Sequence, residues 1–489
     1  MKHLSKKQMW IFATGQLGWS LLGGIISAWL VTFYLPTKED LAAGAGTYIQ
    51  PGLVILGFLT IIGLITALCR VFDAVTDPLV ASLSDSCKSK NGRRIPFMRI
   101  AAIPFSIVTV LVFCAPIDGI SGWNVAWIAI FLVLFYTFMT LYCTPYNALI
   151  SEFAKNQNER MYISTAISFT YLFGTLIAYL PFVCAGWLRD ICGFSTSYRV
   201  CFILLATVAC ICMLLPAYLL DEKEFVESTP TKTNVFKSLT ATFKNKDFRI
   251  FSGSDIMYWV GLTLFQTGLP FFVKVSMGFD EGMVIVFMGG MTLLSAVFYP
   301  LVTKLVKKFG KKKLVIAGFL GLAACYAIAA FSSIPGLLPD QGHANLLSWA
   351  FGLVIMVISA VPMALLGIIP QSIVADVAEA ERTVTGESRE GMFFAARTFA
   401  MKFGQSLAML LFTTFALIGT STAADANEIV PTKLGMLVVA IAAVSFCVLG
   451  AVILFFYREK KVMRTIAKAE DKEFLAAIEN SKEPEDKGE

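Results

Sequence analysis

The stretch "YIQPGLVILGFLTIIGLITALCRVFDAVTDPLVASLSD", residues 48–85, decides the fold. Its first part, "YIQPGLVILGFLTIIGLITAL", is apolar over the ~20 residues that a helix needs to cross a bilayer. Arg70, Asp73 and Asp77 then arrive without a break in the apolar pattern. At i, i+3 and i+7 they form one stripe along one side of a helix. An ionised group at the bilayer centre costs about 3 kcal/mol or more, so the stripe faces the interior of a bundle, or water, and not lipid. Pro78 follows at once and marks a place where the helix can kink.

The rest of the chain agrees. Of 489 residues 57% are hydrophobic and only 15% charged, with a mean hydropathy of +0.72. Soluble domains carry about 25% charged residues, so this is an integral membrane protein. The net charge of +6 does not point to nucleic acid, because the lysines fall in short loops between apolar runs. The eleven cysteines show no CxxC or metal-ligand spacing and most lie inside apolar runs, so neither a disulfide framework nor a zinc site is expected. The apolar run after "MKHLSKKQ" is too long for the core of a cleaved signal and reads as the first membrane helix.

Twelve spans are expected, near 10–35, 51–82, 97–116, 124–150, 161–187, 198–220, 248–274, 283–305, 312–332, 346–378, 391–419 and 433–457. They must be helices, since lipid offers the backbone no hydrogen-bond partners and the two-residue alternation of a membrane barrel is absent. The polar stretch 221–247 divides them six and six, giving an N-terminal bundle (1–220), a linker, a C-terminal bundle (248–457) and a polar tail (458–489). The N-terminus, every second loop and the tail hold 32 of the 40 Lys and Arg, and the opposite loops hold five. That asymmetry predicts a multi-pass protein of the cell membrane with both termini cytoplasmic. "KSKNGRR" (88–94) and "KKFGKKK" (307–313) stand at equivalent places in the two halves, which suggests a duplicated six-helix unit with a site between the halves.

One Arg and two Asp on the second helix leave one uncompensated negative charge, which a single Na⁺ or H⁺ neutralises. Carboxylate oxygens with no His nearby suit a hard cation, so no transition metal is expected. The alternative is an Arg–Asp pair beside an Asp kept neutral by burial. On the fourth helix Thr140, Thr144 and Asn147 share one face, where a hydroxyl such as that of Thr140 can complete a sodium shell or simply bond a neighbouring helix. Arg397 and Lys402 lie within the eleventh span, and Lys402 is over three turns from its start. Lys402 is placed to meet the solute or to reach the Asp stripe across the bundle. Asp376, Glu379, Arg389 and Glu390 lie near the cytoplasmic rim and read as gate charges, and Asp85 is positioned to pair with Arg93 or Arg94.

"RVFDAVTDPLVASLSD" with "GRRIP", "CTPYNAL" with "NER" (158–160), and "ADVAEAERTVTGESREGMFFAARTFAMKFG" resemble the glycoside–pentoside–hexuronide:cation symporters, the melibiose-carrier branch of the major facilitator superfamily. The likeness covers about 450 residues and implies an all-α fold of twelve transmembrane helices in two six-helix bundles. It places Asp73 and Asp77 on the family's cation-coordinating aspartates and Thr140 on its sodium-assisting threonine. Thr76 takes the place of an asparagine beside the second aspartate, and Lys402 matches the eleventh-helix lysine near the sugar. The sugar-gripping groups differ. The first helix, "TGQLGWS" (14–20), offers Gln16 in place of an acid. Cys143 and Asn147 stand where the fourth helix has an acid and a tryptophan, and Ser168 and Gly367 where other helices have an arginine and a tryptophan.

The expected function is cation-coupled symport (Na⁺ or H⁺) of a sugar, glycoside or hexuronide by alternating access. Solute binding falls to Lys402, Asn147, Gln16 and Arg397, and Arg70 tempers the negative charge of the empty site. No Walker loop is present, so neither ATP nor another cofactor is expected. A monomer in lipid with a small-molecule solute completes the picture. Two alternatives remain: transport of an amphipathic solute such as a lysolipid, and a membrane enzyme. The enzyme lacks any nucleophile–base pair, since the only two histidines, His3 and His343, fall outside the spans.

Overall fold

The protein was studied as a computed structural model, which describes residues 3–52, 54–55, 59–85, 87–153, 157–225, 240, 242–385, 390–420 and 430–468. Among these are twelve helices of 17 residues or more: α1 (Lys6–Tyr34), α2 (Ile61–Asp85), α3 (Ile95–Leu111), α4 (Gly122–Phe153), α5 (Gln157–Ile177), α6 (Phe194–Leu219), α7 (Lys246–Phe271), α8 (Met283–Phe309), α9 (Lys311–Ser332), α10 (Leu346–Thr385), α11 (Glu390–Phe415) and α12 (Lys433–Phe455). A second helical piece, Pro181–Cys192, continues α5 beyond a turn, with Pro181 at its first position, where its missing N–H costs nothing.

The order of packing repeats. In the first half α1 lies on α5 and α6, α2 on α4, and α3 on α4 and α6; in the second α7 lies on α11 and α12, α8 on α10, and α9 on α10 and α12. This is two copies of one six-helix bundle, the architecture expected from the basic loops. The capping devices repeat as well. The Glu222 carboxylate accepts from the N–H groups of Arg93, Arg94 and Ile95 at the start of α3, at 2.8, 2.8 and 3.0 Å. Glu459 accepts from Lys311 and Lys312 at the start of α9, at 2.7 and 3.3 Å. An anion at a helix N-terminus satisfies orphan donors and meets the positive end of the dipole. Each turn is made by a glycine with positive φ, Gly92 (+99°) and Gly310 (+83°).

Among the described residues nine stretches are long and apolar enough to cross a membrane by themselves. The exceptions are α3, at 17 residues, and α2 and α11, which carry Arg70, Asp73, Asp77, Arg397 and Lys402. Outward faces present bare Ile191, Val297 and Trp187, each over 70% exposed, as a lipid-facing belt. The second span departs from expectation: helix begins at Ile61, not at residue 51, because Pro51–Gly52 (Gly52 φ +94°) starts an irregular entry closed by paired backbone bonds between Ile55 and Leu59. Most of the 221–247 linker, and the tail beyond residue 468, lie outside the described residues.

Between the halves α2 packs tightly on α11. A Cβ on Gly63 would sit 2.0 Å from Thr413 Oγ1, and Ser406 donates to the Ala67 carbonyl at 2.8 Å.

Candidate functional site

Asp73 lies 12 residues from the end of α2 and Lys402 12 residues into α11, so both sit about 18 Å from the face that carries the chain ends, near mid-membrane. The packing of α2 on α11 brings them together. Lys402 Nζ stands 2.8 Å from Asp73 Oδ2 and 2.7 Å from Asp77 Oδ2. From α4 the Thr140 hydroxyl donates to Asp73 Oδ1 at 2.8 Å and lies 3.2 Å from Asp77 Oδ1, with Thr144 at 3.5 Å. Asp73 has no solvent exposure, and Lys402 only 6%. The ammonium is out of line for a hydrogen bond to Asp73 Oδ2, so that buried oxygen has a charge partner but no hydrogen-bond donor. Arg70 Nη1 completes the cluster 3.8 Å from Asp73 Oδ2, its guanidinium stacked over the Tyr136 ring.

Lys402 thus bridges the Oδ2 atoms of the two carboxylates, and the Thr140 hydroxyl lies against their Oδ1 atoms. Carboxylate and hydroxyl oxygens of this kind suit a monovalent hard cation, and here the protein's own ammonium lies between the carboxylates. Of the two directions open to Lys402 in the sequence, the structure takes the Asp stripe. Thr76, expected among the cation ligands, turns its hydroxyl to the Asp73 carbonyl at 3.0 Å. Asn147 is exposed on the α4 face of Thr140 and Thr144, and Gln16 is buried on α1.

Arg397 is taken by a partner that the sequence reading passed over. Its Nε and Nη2 grip Asp255 Oδ2 and Oδ1 at 3.0 and 3.2 Å, with Asp255 buried on α7. Asp255 was visible as a lone acid inside the apolar "FSGSDIMYWVG" (251–261).

At the face of the chain ends, Arg93 and Arg94 hold Glu152 at 2.8 and 3.1 Å, and Arg94 also donates to Ser84 at 2.6 Å. In the second half Lys311 holds Asp376 at 2.5 Å, the counterpart of that pairing. The side chains of Asp85 and Glu390, and all of Arg389, lie outside the described residues.

The opposite face carries a network that sequence spacing could not reveal, because its members are far apart in the chain. Lys274, 1% exposed, holds both oxygens of Asp40 at 2.6 and 2.7 Å. Asp40 also accepts from the Thr37 N–H and hydroxyl. Glu281 receives Arg189 at 2.5 Å and the Tyr198 hydroxyl at 2.7 Å. Burial alone would raise the Asp40 pKa, but the Lys274 charge and these hydrogen bonds outweigh it and hold the carboxyl below its usual range. Asp40, Arg189 and Tyr198 belong to the first half and Lys274 and Glu281 to the second, so this network ties the halves shut at that face.

Residues 11–460 match the family model described as MFS/sugar transport protein, and the chain belongs to that family. It is a transporter, not an enzyme. Among curated relatives it is 24% identical to the uncharacterized symporter YjmB of Bacillus subtilis, over 84% of this chain and 83% of that one. It is 22% identical to the isoprimeverose transporter of Lactiplantibacillus pentosus, over 53% and 54%. A third relative, the uncharacterized symporter YnaJ of Bacillus subtilis, is 28% identical over 40% of this chain, and the match spans only 38% of that protein's length. Among solved structures, a D-xylose–proton symporter shares the fold at a TM-score of 0.64 and 16% identity, covering 93% of this chain and 98% of the other.

Proposed function

We propose that the protein is a cation-coupled symporter of a sugar-type solute, working by alternating access in a cell membrane with both chain ends in the cytoplasm. The family match and the 32-to-5 asymmetry of Lys and Arg support the class and the orientation. The observation that carries the cation site is the arrangement of Asp73, Asp77 and Thr140 around Lys402, with Asp73 Oδ2 buried and lacking a donor. The empty site is kept neutral by Lys402 and Arg70. An entering cation replaces the ammonium between the carboxylates and frees Lys402 toward the solute. Cation and solute then raise each other's affinity by one factor, as linkage requires.

Sodium fits better than a proton. Thr140 Oγ lies 2.8 and 3.2 Å from Oδ1 of the two carboxylates, close enough to serve as a third oxygen ligand to an ion held by that edge of the pair. In this reading the Asp40–Lys274 and Arg189–Glu281 pairs close the outer side, and they break when the carrier turns outward. The test is thermal unfolding of the purified protein in Na⁺ against K⁺ at matched ionic strength. A ligand filling its site 100-fold above Kd adds about 2.7 kcal/mol. A Na⁺-specific rise is expected; equal curves in both ions, with a rise on lowering pH, would assign the site to protons.

A further inference from the structure

Three of the buried side-chain atoms without a hydrogen-bond partner lie on α7: Ser252 Oγ, Trp259 Nε1 and Thr263 Oγ1. With Asp255 they fall at i, i+3, i+7 and i+11, a single stripe about 80° wide on a helix of 3.6 residues per turn. The far side of α7 is committed to α12, where Ser254 donates to the Gly450 carbonyl at 2.8 Å and a Cβ on Gly261 would lie 3.0 Å from Cys447 Sγ. The stripe is therefore turned away from α12, with α11 along one edge through Arg397 and Gly404. Buried polar atoms in native proteins are nearly always satisfied, and a face that only packs would use Ala or Val here. The Trp259 N–H is directed at the Asp255 carboxylate but falls short of good hydrogen-bond geometry, so the indole and the acid act as neighbours on one surface.

Depth adds a second line. α1 and α7 are the equivalent first helices of the two halves, each opened by a capping side chain, Ser5 and Asn245. Asp255 is the tenth residue of α7 and Gln16 the eleventh of α1, so these two polar side chains stand at the same level in the two bundles.

We infer that Ser252, Asp255, Trp259 and Thr263, with Arg397, form the recognition surface for the sugar-type solute. This rests on the symport reading above. Ring hydroxyls donate to Asp255, whose carboxylate Arg397 holds in place, and accept from the remaining N–H groups of that guanidinium. The indole offers its face to the apolar side of a pyranose and its N–H to a hydroxyl, and the Ser252 and Thr263 hydroxyls serve either way. The stripe runs about 16 Å, long enough for two linked rings.

The test uses the full-length purified protein in Na⁺, with the α- and β-p-nitrophenyl glycosides of glucose, galactose and xylose as probes. At least one is expected to raise the unfolding temperature of the wild type. Trp259→Phe keeps the stacking face and loses the N–H, and Thr263→Val keeps the shape and loses the hydroxyl. Each is expected to raise the Kd of that glycoside about tenfold, the worth of one hydrogen bond, and to leave the Na⁺-induced rise intact. Asp255→Asn is expected to abolish glycoside binding. A wild type that responds to Na⁺ but to none of the six probes overturns the proposal, as does unchanged glycoside Kd in both milder variants. If the Na⁺ rise is absent while glycoside binding still depends on Trp259, the cation assignment fails and the α7 surface stands.

Discussion

Lys402→Ala removes the ammonium from between Asp73 and Asp77 and leaves Arg70, 3.8 Å from Asp73, against two carboxylates. Without sodium the variant loses a buried pair, a change that costs about 3–5 kcal/mol when the remaining charge has no escape. Here the loss falls short of that ceiling, because the Asp77 side chain is 23% exposed and can take up a proton. With sodium the sign reverses. In the wild type the ion must live with a displaced ammonium a few ångströms away; at ~7 Å and an effective dielectric of about 20 that repulsion is about 2 kcal/mol. Removing it makes the sodium Kd about thirtyfold lower. The assay is thermal unfolding of wild type and variant across a sodium titration, with potassium balancing ionic strength. The variant is expected to start lower in potassium, to reach half its stabilisation at lower sodium and to gain more in total. A folded variant that has lost its sodium response would refute the reasoning, since the ammonium would then be part of the sodium site and not its competitor.

Asp77→Asn is expected to stay folded, to lose the sodium-specific rise in unfolding temperature and to abolish cation-driven uptake; concentrative uptake at the wild-type level would remove Asp77 from the site. Asp40 has a lowered native pKa, so the stability it contributes is fully present above the unfolded value of about 3.9 and is lost as pH falls through the native one. Acid unfolding curves should therefore separate wild type from Asp40→Asn above that range and converge below it; curves that stay parallel would contradict the assignment. Gly92→Ala places a Cβ 2.3 Å from Glu222 Oε2 at φ +99°, whereas Gly310→Ala meets Glu459 at 3.3 Å at φ +83°. Left-handed strain alone costs about 1–2 kcal/mol, so both variants should melt earlier, and Gly92→Ala should lose more.

The cation stripe was legible because charge inside an apolar run has few explanations and the spacing of Arg70, Asp73 and Asp77 puts them on one face. Thr140 was legible as a hydroxyl sharing one face of the fourth helix with Thr144 and Asn147, with its partner left open between an ion and a neighbouring helix. Lys402 was half legible: its depth ruled out a surface role, but choosing between solute and carboxylates needed the register of α11 on α2, fixed by contacts such as Gly63 with Thr413. Arg397 was grouped with Lys402, although five residues on a helix turn a side chain by about 140°. That angle sends one toward α2 and the other toward Asp255. The lone acid of "FSGSDIMYWVG" was overlooked because nothing near it in sequence is charged, and its partner is 142 residues away. The Asp40–Lys274 pair spans 234 residues and belongs to the fold alone.

Six charged side chains stand at mid-depth on the described helices: Arg70, Lys402 and Arg397 against Asp73, Asp77 and Asp255. Three positive and three negative sum to zero, and each charge has a partner, so the empty carrier can close around them without an exposed ion in low dielectric. Under the proposed reading, a cation that enters between Asp73 and Asp77 upsets this balance: one positive charge is added and no carboxylate is left for the ammonium it expels. A carrier holding the cation alone is thus penalised when it tries to close, because a desolvated, unpaired ammonium is among the costliest groups to bury. A solute that offers hydroxyl oxygens, or one negative charge, to Lys402 relieves that penalty. Coupling then needs no long-range signal. On that reading, the same lysine that keeps the empty site neutral would make the half-loaded carrier reluctant to close, and the solute that satisfies it would let the cycle proceed.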